Sequence, residues 1–500
     1  MKVLLMHPTQ DFDPKQPFPP NHAALMQDLE LETLLGAMAQ GDRFLFGVAR
    51  QALLSSVEEP EVIRYRQEIL KDCLKNAAVV REIVQIPIES IQRKQKHWLG
   101  IFTHYPGGIL SSAVQLLEMF VELLRKLKQI ADEHAGDFES EGFQRFFGMI
   151  QQELDDAYFD EVAAHLRELR FRNGVLLSAE LGRGNEGAHY LLCKPNRPNG
   201  HWAKRIFSKK SPVYSFNIHP RDDHGARALG ELRDRGINLV ANAVAQSADH
   251  IDNFLNTLRQ ELAFYIGALN LAEALSALGE PIVFPAPLPA RERKHAFTGL
   301  YDVALALTVQ QKVVGNEADA DGKDLVMITG ANQGGKSTFL RSIGQAQLMM
   351  QCGLFVAAQS FSANVCSGLF THYKREEDTS MKSGKLDEEL ARMSEVVSYL
   401  RPDALVLFNE SFAATNEREG SEIARQVVSA LLERRIKVFF VTHQYELARD
   451  YHEKSLPNTL FLRAERQPDG SRTFKLREGE PLPTSFGEDV YHKIFDKSDA

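Results

Sequence analysis

Cysteine is scarce in this chain. Its 500 residues hold four, Cys73, Cys193, Cys352 and Cys366, with no Cys-x-x-Cys pair among them. That spacing excludes a zinc-finger ligand set and a disulfide framework, and the four read as small core residues of a reducing compartment. An excess of positive charge is missing too. Lys and Arg number 58 against 67 Asp and Glu, a formal charge of −9, so any basic surface that meets nucleic acid has to be local. No apolar run approaches the ~18 residues that cross a bilayer. The opening Met1-Lys-Val-Leu-Leu-Met6 is too short for a signal core, and His7-Pro8 follows at once. The expectation is a cytoplasmic protein. What remains, 44% apolar and 25% charged residues, is ordinary for a globular chain of roughly two to four domains.

Periodicity divides the sequence. Residues 1–22 are proline-rich and read as irregular. From Asn21 to Phe171 the pattern is mostly helical, with Leu116, Leu117, Phe120, Leu123, Leu124 and Leu127 on one face of a long amphipathic helix. After Gly174, the runs Val175–Leu181 and Tyr190–Cys193 read as strands joined by a glycine-rich turn, and Val213–Ile218 as a third. A second helical stretch runs from Asp222 to Leu278. Pro281, Pro285, Pro287 and Pro289 then mark a linker. Beyond them, strands alternate with helices, which argues for a parallel sheet.

The most informative segment lies there. Leu325–Ile328 reads as a buried strand, and Phe339, Leu340, Ile343, Leu348 and Met349 as a helix. Between them Gly330-Ala331-Asn332-Gln333-Gly334-Gly335-Lys336-Ser337-Thr338 fits G-x-x-x-x-G-K-[ST]. In that pattern, glycines let backbone N–H groups close around a polyphosphate and the helix turns its positive end toward it. Lys336 is expected to reach the β/γ-phosphates of ATP, and Ser337 to hold Mg²⁺.

A second apolar run, Ala404–Phe408, ends in Asn409-Glu410, where phosphate-loop ATPases commonly carry an acidic pair. Glu410 stands where it can activate water. Asn409 keeps a carbonyl oxygen for the metal but supplies no charge. Val438–Thr442 is another strand, running into His443, placed to sense the γ-phosphate or orient the water. Separately, Ala188–Arg221 contains no acid. Lys194, Arg197, Lys204, Arg205, Lys209, Lys210 and Arg221 alternate there with Tyr190, Trp202, Phe207 and Tyr214. Two readings stand: a contact with a nucleic-acid backbone, led by Lys204, Arg205, Lys209 and Lys210, or a solvated loop on a small β element.

Taken together, these residues resemble the ATPase domain of MutS-type DNA mismatch repair proteins, a branch of the ABC ATPases. The family's loop reads Gly-Pro-Asn-Met-Gly-Gly-Lys-Ser-Thr, to which residues 330–338 are similar. Gly353–Gln359, Leu369-Phe370-Thr371, Asn409-Glu410 with Thr415 and Gly420, Thr442-His443-Gln-Tyr-Glu446-Leu447 and Ser485-Phe486-Gly487 resemble later family segments. Asp28–Leu31 and Arg64–Gln67 sit where members start their helical core. Phe120-Val-Glu122 and Phe159-Asp-Glu161 fall inside helical stretches and do not read as the family's mismatch wedge. The resemblance therefore implies a short form without the N-terminal mismatch-binding and connector domains, and without an appended nuclease domain.

The implied architecture is multidomain: an all-α core and lever module with a small β element, then an α/β P-loop (ABC-type) ATPase domain. The expected divisions are an irregular segment 1–22, a helical core/lever region 23–290 with a basic β element near 174–220, and an ATPase domain 291–500. The implied activity is ATP hydrolysis in a homodimer, coupled to clamp-like engagement of DNA in repair or recombination, with branched or structured DNA favoured over a mismatch. A nucleotide-dependent switch with little hydrolysis, acting on RNA or a protein partner, is the alternative. Two departures stand out. Asn409 replaces an Asp, and Ser383–Glu389 carries Asp387, Glu388 and Glu389 where the family has Ser-Thr facing a partner's nucleotide. Those carboxylates would repel a γ-phosphate unless Lys385 or Mg²⁺ compensates.

Overall fold

The computed structural model describes residues 1–97, 105–172, 174–194, 214–375 and 384–483. Its contacts divide the chain into two compact units. One comprises 1–3, 82–137 and 145–259, and the other 4–81, 138–144 and 260–500.

The first unit is helical, with one β-hairpin. The Pro106–His134 helix buries Leu117, Phe120, Leu123, Leu124 and Leu127, the face expected from the sequence. Its wet side is tied down by Arg170–Glu118 at 2.7 Å and Arg93–Glu122 at 2.8 Å. Phe159 packs into the same core from the Asp156–Leu169 helix, with the Arg125 guanidinium 4.3 Å from its ring. One expectation needs correcting here. The Pro106–His134 helix and the turn after it, out to Asp137, are long and apolar enough to cross a membrane, with a mean hydropathy of 1.4 in the best window. Half of that window is buried in protein, and its hydropathy is high because the helix carries no charge before Glu118. The hairpin pairs β1 (Leu176–Leu181) antiparallel with β2 (Gly187–Cys193). The third strand expected at Val213–Ile218 does not form: residues 214–218 are irregular, with Tyr214 and Phe216 at least 80% exposed. The side chains alternate, but among the described residues no neighbouring strand offers them a ladder. Lys204, Arg205, Lys209 and Lys210 lie outside the described residues. The Asp223–Ala277 helix, 55 residues and about 82 Å of continuous rise, contributes its first part to this unit.

The second unit holds two sheets. Strands β3 (Ala286–Leu288), β4 (His295–Leu300), β5 (Asn316–Asp319) and β7 (Ser360–Asn364) form a four-stranded sheet of order β3-β7-β4-β5. The larger sheet contains β6 (Leu325–Gly330), β8 (Leu369–Tyr373), β9 (Leu405–Asn409), β10 (Lys437–Val441), β11 (Thr459–Arg466) and β12 (Arg472–Glu478), ordered β12-β11-β6-β10-β9-β8. Five of these run parallel, and β12 returns antiparallel to β11. Strands β6, β8 and β10 are buried along their whole length, which is why they read as unbroken apolar runs rather than alternations.

Residues 1–21 carry no helix or strand, yet Leu5 and Met6 are fully buried. Backbone polar groups buried in this way need partners. Glu261 supplies them, its carboxylate accepting from the N–H groups of Leu5, Met6 (3.1 Å) and Phe12 (2.8 Å). The Arg66 guanidinium and the Tyr265 hydroxyl donate to the carbonyls of Met6 and Leu5.

Candidate active site

Three parallel neighbours, β6, β10 and β9, end side by side, and each delivers one part of the site. Ligands of open parallel sheets collect at these carboxyl ends. After β6, the chain turns through Gly330 at φ 110°, Gln333 at φ 57° and Gly335 at φ 84° before the Lys336–Gln351 helix begins. Side chains at two of these glycines have no room. A Cβ on Gly330 would stand 2.8 Å from the Ala464 backbone nitrogen, and one on Gly334 2.7 Å from the Ala464 Cβ. The close approach of β11 therefore dictates glycine.

Lys336 is buried and folds back on its own loop, donating to the carbonyls of Gly330 (3.2 Å) and Ala331 (3.0 Å). Burial pushes its pKa down to about 8, against the pull of the Glu410 charge. Ser337 donates to Asn409 Oδ1 at 2.9 Å, so two oxygen donors from β9 and the helix meet at one point. Glu410 follows in a left-handed turn, φ 53°, with its N–H on the Val441 carbonyl of β10. Its carboxylate lies 3.0 Å from His443 Nε2, and that hydrogen bond holds the Glu410 pKa below the usual range. Thus Lys336, Ser337, Asn409, Glu410 and His443, chosen from three separate stretches of sequence, come together.

Lys336, Ser337, Glu410 and His443 border a cavity of about 590 Å³. Asn332–Phe339, Glu410 and His443 line one side, and Val309, Val313 and Val314 give an apolar wall. Phe474 completes it. This residue, unnoticed in the sequence, comes from β12, is half exposed, and has φ 59°, a costly conformation for an aromatic residue. Asn316 of β5 fixes it, donating to the Phe474 carbonyl (3.3 Å) and accepting from Leu476 N–H (2.8 Å). Arg472 also crosses to the loop, Nε donating to the Asn332 carbonyl at 3.1 Å. The one available signal was the Pro468-Asp469-Gly470 turn before a short alternating run. Chemically, the cavity combines a cation, loop N–H groups, a paired carboxylate and an apolar wall, which suits a polyanion with a flat organic group.

The acidic segment behaves differently from its sequence expectation. Ser383 lies outside the described residues; Lys385 opens the Lys385–Tyr399 helix, and Asp387 is exposed in its first turn. Glu389, expected to face a phosphate, instead points inward. It is buried, and the Phe412 N–H supports its carboxylate.

Comparison with known proteins agrees along most of the chain. Residues 58–278 match the MutS2 N-terminal domain model, and residues 326–494 match MutS domain V. The DNA mismatch repair protein MutS of Streptococcus mutans is 24% identical over 409 residues, 77% of this chain and 46% of that protein. The protein of the same name from Chloroflexus aurantiacus is 25% identical over 272 residues, 50% of this chain and 28% of its own length. Mouse MutS protein homolog 4 is 28% identical over 149 residues, 30% of this chain and 16% of its own length. The chain thus spans less than half the length of these relatives. With both halves matched by MutS models and the glycine loop inside the second, the chain belongs to the MutS family.

Proposed function

We propose that this chain binds ATP with Mg²⁺ and hydrolyses it to ADP and phosphate, as a homodimer whose helical arms engage DNA. The observation that carries this reading is the convergence of Lys336, Ser337, Glu410 and His443 on one cavity, with Asn409 hydrogen-bonded to Ser337 at its edge. Residues 330–338 hold the phosphates through loop N–H groups, and Lys336 leaves its two carbonyls to meet them. Glu410 takes the proton of the attacking water, and His443 fixes both the carboxylate and the water's direction. Val313, Val314 and Phe474 pack against the base.

The donor set fits Mg²⁺ as a weakly held ion. Ser337 Oγ and Asn409 Oδ1 are both hard oxygen donors, and among the described residues no cluster of three His, Cys, Asp or Glu side chains offers a stronger cage. Ser337 and Asn409 would hold such an ion when the nucleotide is bound, and it would supply positive charge against the phosphates. In this reading, 291–500 is an ABC-type ATPase domain and 23–290 the core and lever region.

DNA as partner rests on the names of the relatives and on the acid-free segment 188–221. The test pairs ATP turnover with filter binding of homoduplex, mismatched and branched DNA and of RNA, with and without ATP. Turnover with ATP-dependent retention of branched DNA is expected. ATP binding without turnover, with RNA or no nucleic acid retained, replaces the reading by a nucleotide-held switch; absence of nucleotide binding refutes both.

A further inference from the structure

Behind Glu410 lies a buried polar cluster that the site chemistry does not use. His372 is 1% exposed, on β8 opposite Phe408 of β9. Its Nδ1 lies 2.7 Å from the Ser411 hydroxyl, and Nε2 lies 3.0 Å from the Glu389 carbonyl oxygen. The ring also stacks on Phe412, with centroids 5.2 Å apart and planes at 21°. Ser411 is fully buried, and its oxygen also lies 2.5 Å from the His372 carbonyl oxygen; its single proton can serve only one of these two acceptors at a time. One imidazole therefore grips both residues that follow Glu410, and from its other side it grips the Lys385–Tyr399 helix. The Glu389 side chain closes the ring of contacts through the Phe412 N–H.

The backbone here needs such a clamp. Glu410 and Phe412 both have left-handed φ, 53° and 61°, a strained backbone for L-residues. Strained turns of this kind persist where their surroundings over-determine them. Burial and the nearby Arg392 and Arg375 hold His372 neutral, its pKa down at about 4. The neutral ring donates from Nε2 to the Glu389 carbonyl and presents Nδ1 as an acceptor to Ser411.

We propose that His372 is a positioning residue for Glu410: through Ser411 and Phe412 it fixes the turn that aims the carboxylate, and through the Glu389 carbonyl it ties that aim to the position of the Lys385–Tyr399 helix. This rests on the reading of Glu410 as the water-activating group. The geometric logic is that a misdirected general base loses rate without losing substrate, since the phosphate loop and the apolar wall are untouched.

The test uses the full chain and four variants: His372→Leu, which keeps bulk against Phe412 but breaks both polar contacts; Ser411→Ala, which removes one oxygen; His372→Asn, which retains a group near Nδ1; and His372→Gln, which retains one near Nε2. Steady-state turnover and binding of a non-hydrolysable ATP analogue are measured for each. His372→Leu and Ser411→Ala are expected to bind the analogue within about two-fold of wild type and to lose roughly 10-fold to 100-fold in kcat, with His372→Asn recovering more of it than His372→Gln. Retained kcat in either Leu or Ala variant overturns the proposal. So does a parallel loss of kcat and analogue binding, the mark of a merely structural role. If His372→Leu fails to fold, Ser411→Ala decides. A wild type that binds the analogue without turning ATP over refutes the general-base reading itself, and the inference falls with it; wild-type turnover with unaffected variants refutes the inference alone.

Discussion

Lys336→Met separates the cost of the phosphate-loop lysine from its use. Lys336 is 5% exposed, and burial lowers its pKa from 10.5 to about 8. That lowering corresponds to about 3 kcal/mol against the charged form in the folded state. The two hydrogen bonds to Gly330 and Ala331 return roughly 1–2 kcal/mol. At pH 7 the nucleotide-free variant should therefore be more stable than wild type by about 1–2 kcal/mol. The pH dependence gives the sharper test. Between the folded pKa near 8 and the unfolded value of 10.5, the unfolded chain binds more protons at this lysine, so wild-type stability rises with pH in that window. Below pH 8 the penalty is complete and constant. Wild type should gain about 3 kcal/mol on the variant between pH 8 and 10.5. Urea unfolding of both proteins across pH 7–10.5 measures the difference, and groups common to both cancel. ATP binding should be lost in the variant, because no other residue of the 330–338 phosphate loop is a cation. A stability gap that stays flat with pH, or ATP binding that survives, would refute this account of the lysine.

Four further outcomes are expected. Glu410→Gln should bind ATP normally and hydrolyse it roughly 10²-fold more slowly, the scale of a lost general base; undiminished single-turnover rates would remove Glu410 from that role. Asn409→Asp adds a charge 2.9 Å from Ser337 Oγ, so the Mg²⁺ concentration for half-maximal turnover should fall, and an unchanged requirement places Asn409 outside the metal shell. Phe474→Ala should weaken ATP by about ten-fold while leaving inorganic triphosphate binding alone, the stacking scale for one base; equal effects on both ligands would mean the ring only props the loop. Replacing Lys204, Arg205, Lys209 and Lys210 with Ala should flatten the salt dependence of DNA affinity by about 0.9 for each phosphate no longer neutralised, and superimposable salt titrations would leave the segment a solvated loop.

What could be read from the sequence was what local chemistry determines. Gly330, Gly334 and Gly335 beside Lys336, and apolar runs ending in Asn409-Glu410 and His443, each declare themselves within a few residues. Their convergence followed from one inference, that parallel strands present their carboxyl ends together. Phe474 was invisible because its place depends on β12 folding back on β11 and on Asn316, 158 residues earlier, holding its carbonyl. The His372 clamp was hidden for the same reason: a histidine inside an apolar run carries no sign of the serine it will meet 39 residues on. Glu389 misled, because a run of acids declares its charge but not which side of the helix is buried. Val213–Ile218 misled in the opposite sense, since Tyr214 and Phe216 alternate like strand residues yet stand exposed. Residues 1–22 read as irregular; 1–21 carry no helix or strand while His22 opens a helix, and the burial of Leu5 and Met6 beside Glu261, far along the chain, could not be read locally.

The discontinuity of the second unit bears on how a ribosome makes this protein. Residues 4–81 fold with 260–500, and they dock closely: a Cβ on Gly344 of the Lys336–Gln351 helix would collide with the Leu29 side chain at 2.5 Å, and Leu25, Leu29, Leu31, Leu34 and Leu35 are all but fully buried. Those leucines emerge first and their partners last. At typical elongation rates the interval between residue 81 and the C-terminus is roughly 20–80 s, during which an apolar helical segment has no native surface to cover it. Residues 82–137 and 145–259, which make up nearly all of the first unit, are complete in the meantime and can fold ahead of the body whose first part precedes them in sequence. Nascent chains should therefore acquire protease resistance within 82–259 before 4–81 and 260–500, and the leucine-rich 25–35 segment should be held by chaperones in the interval.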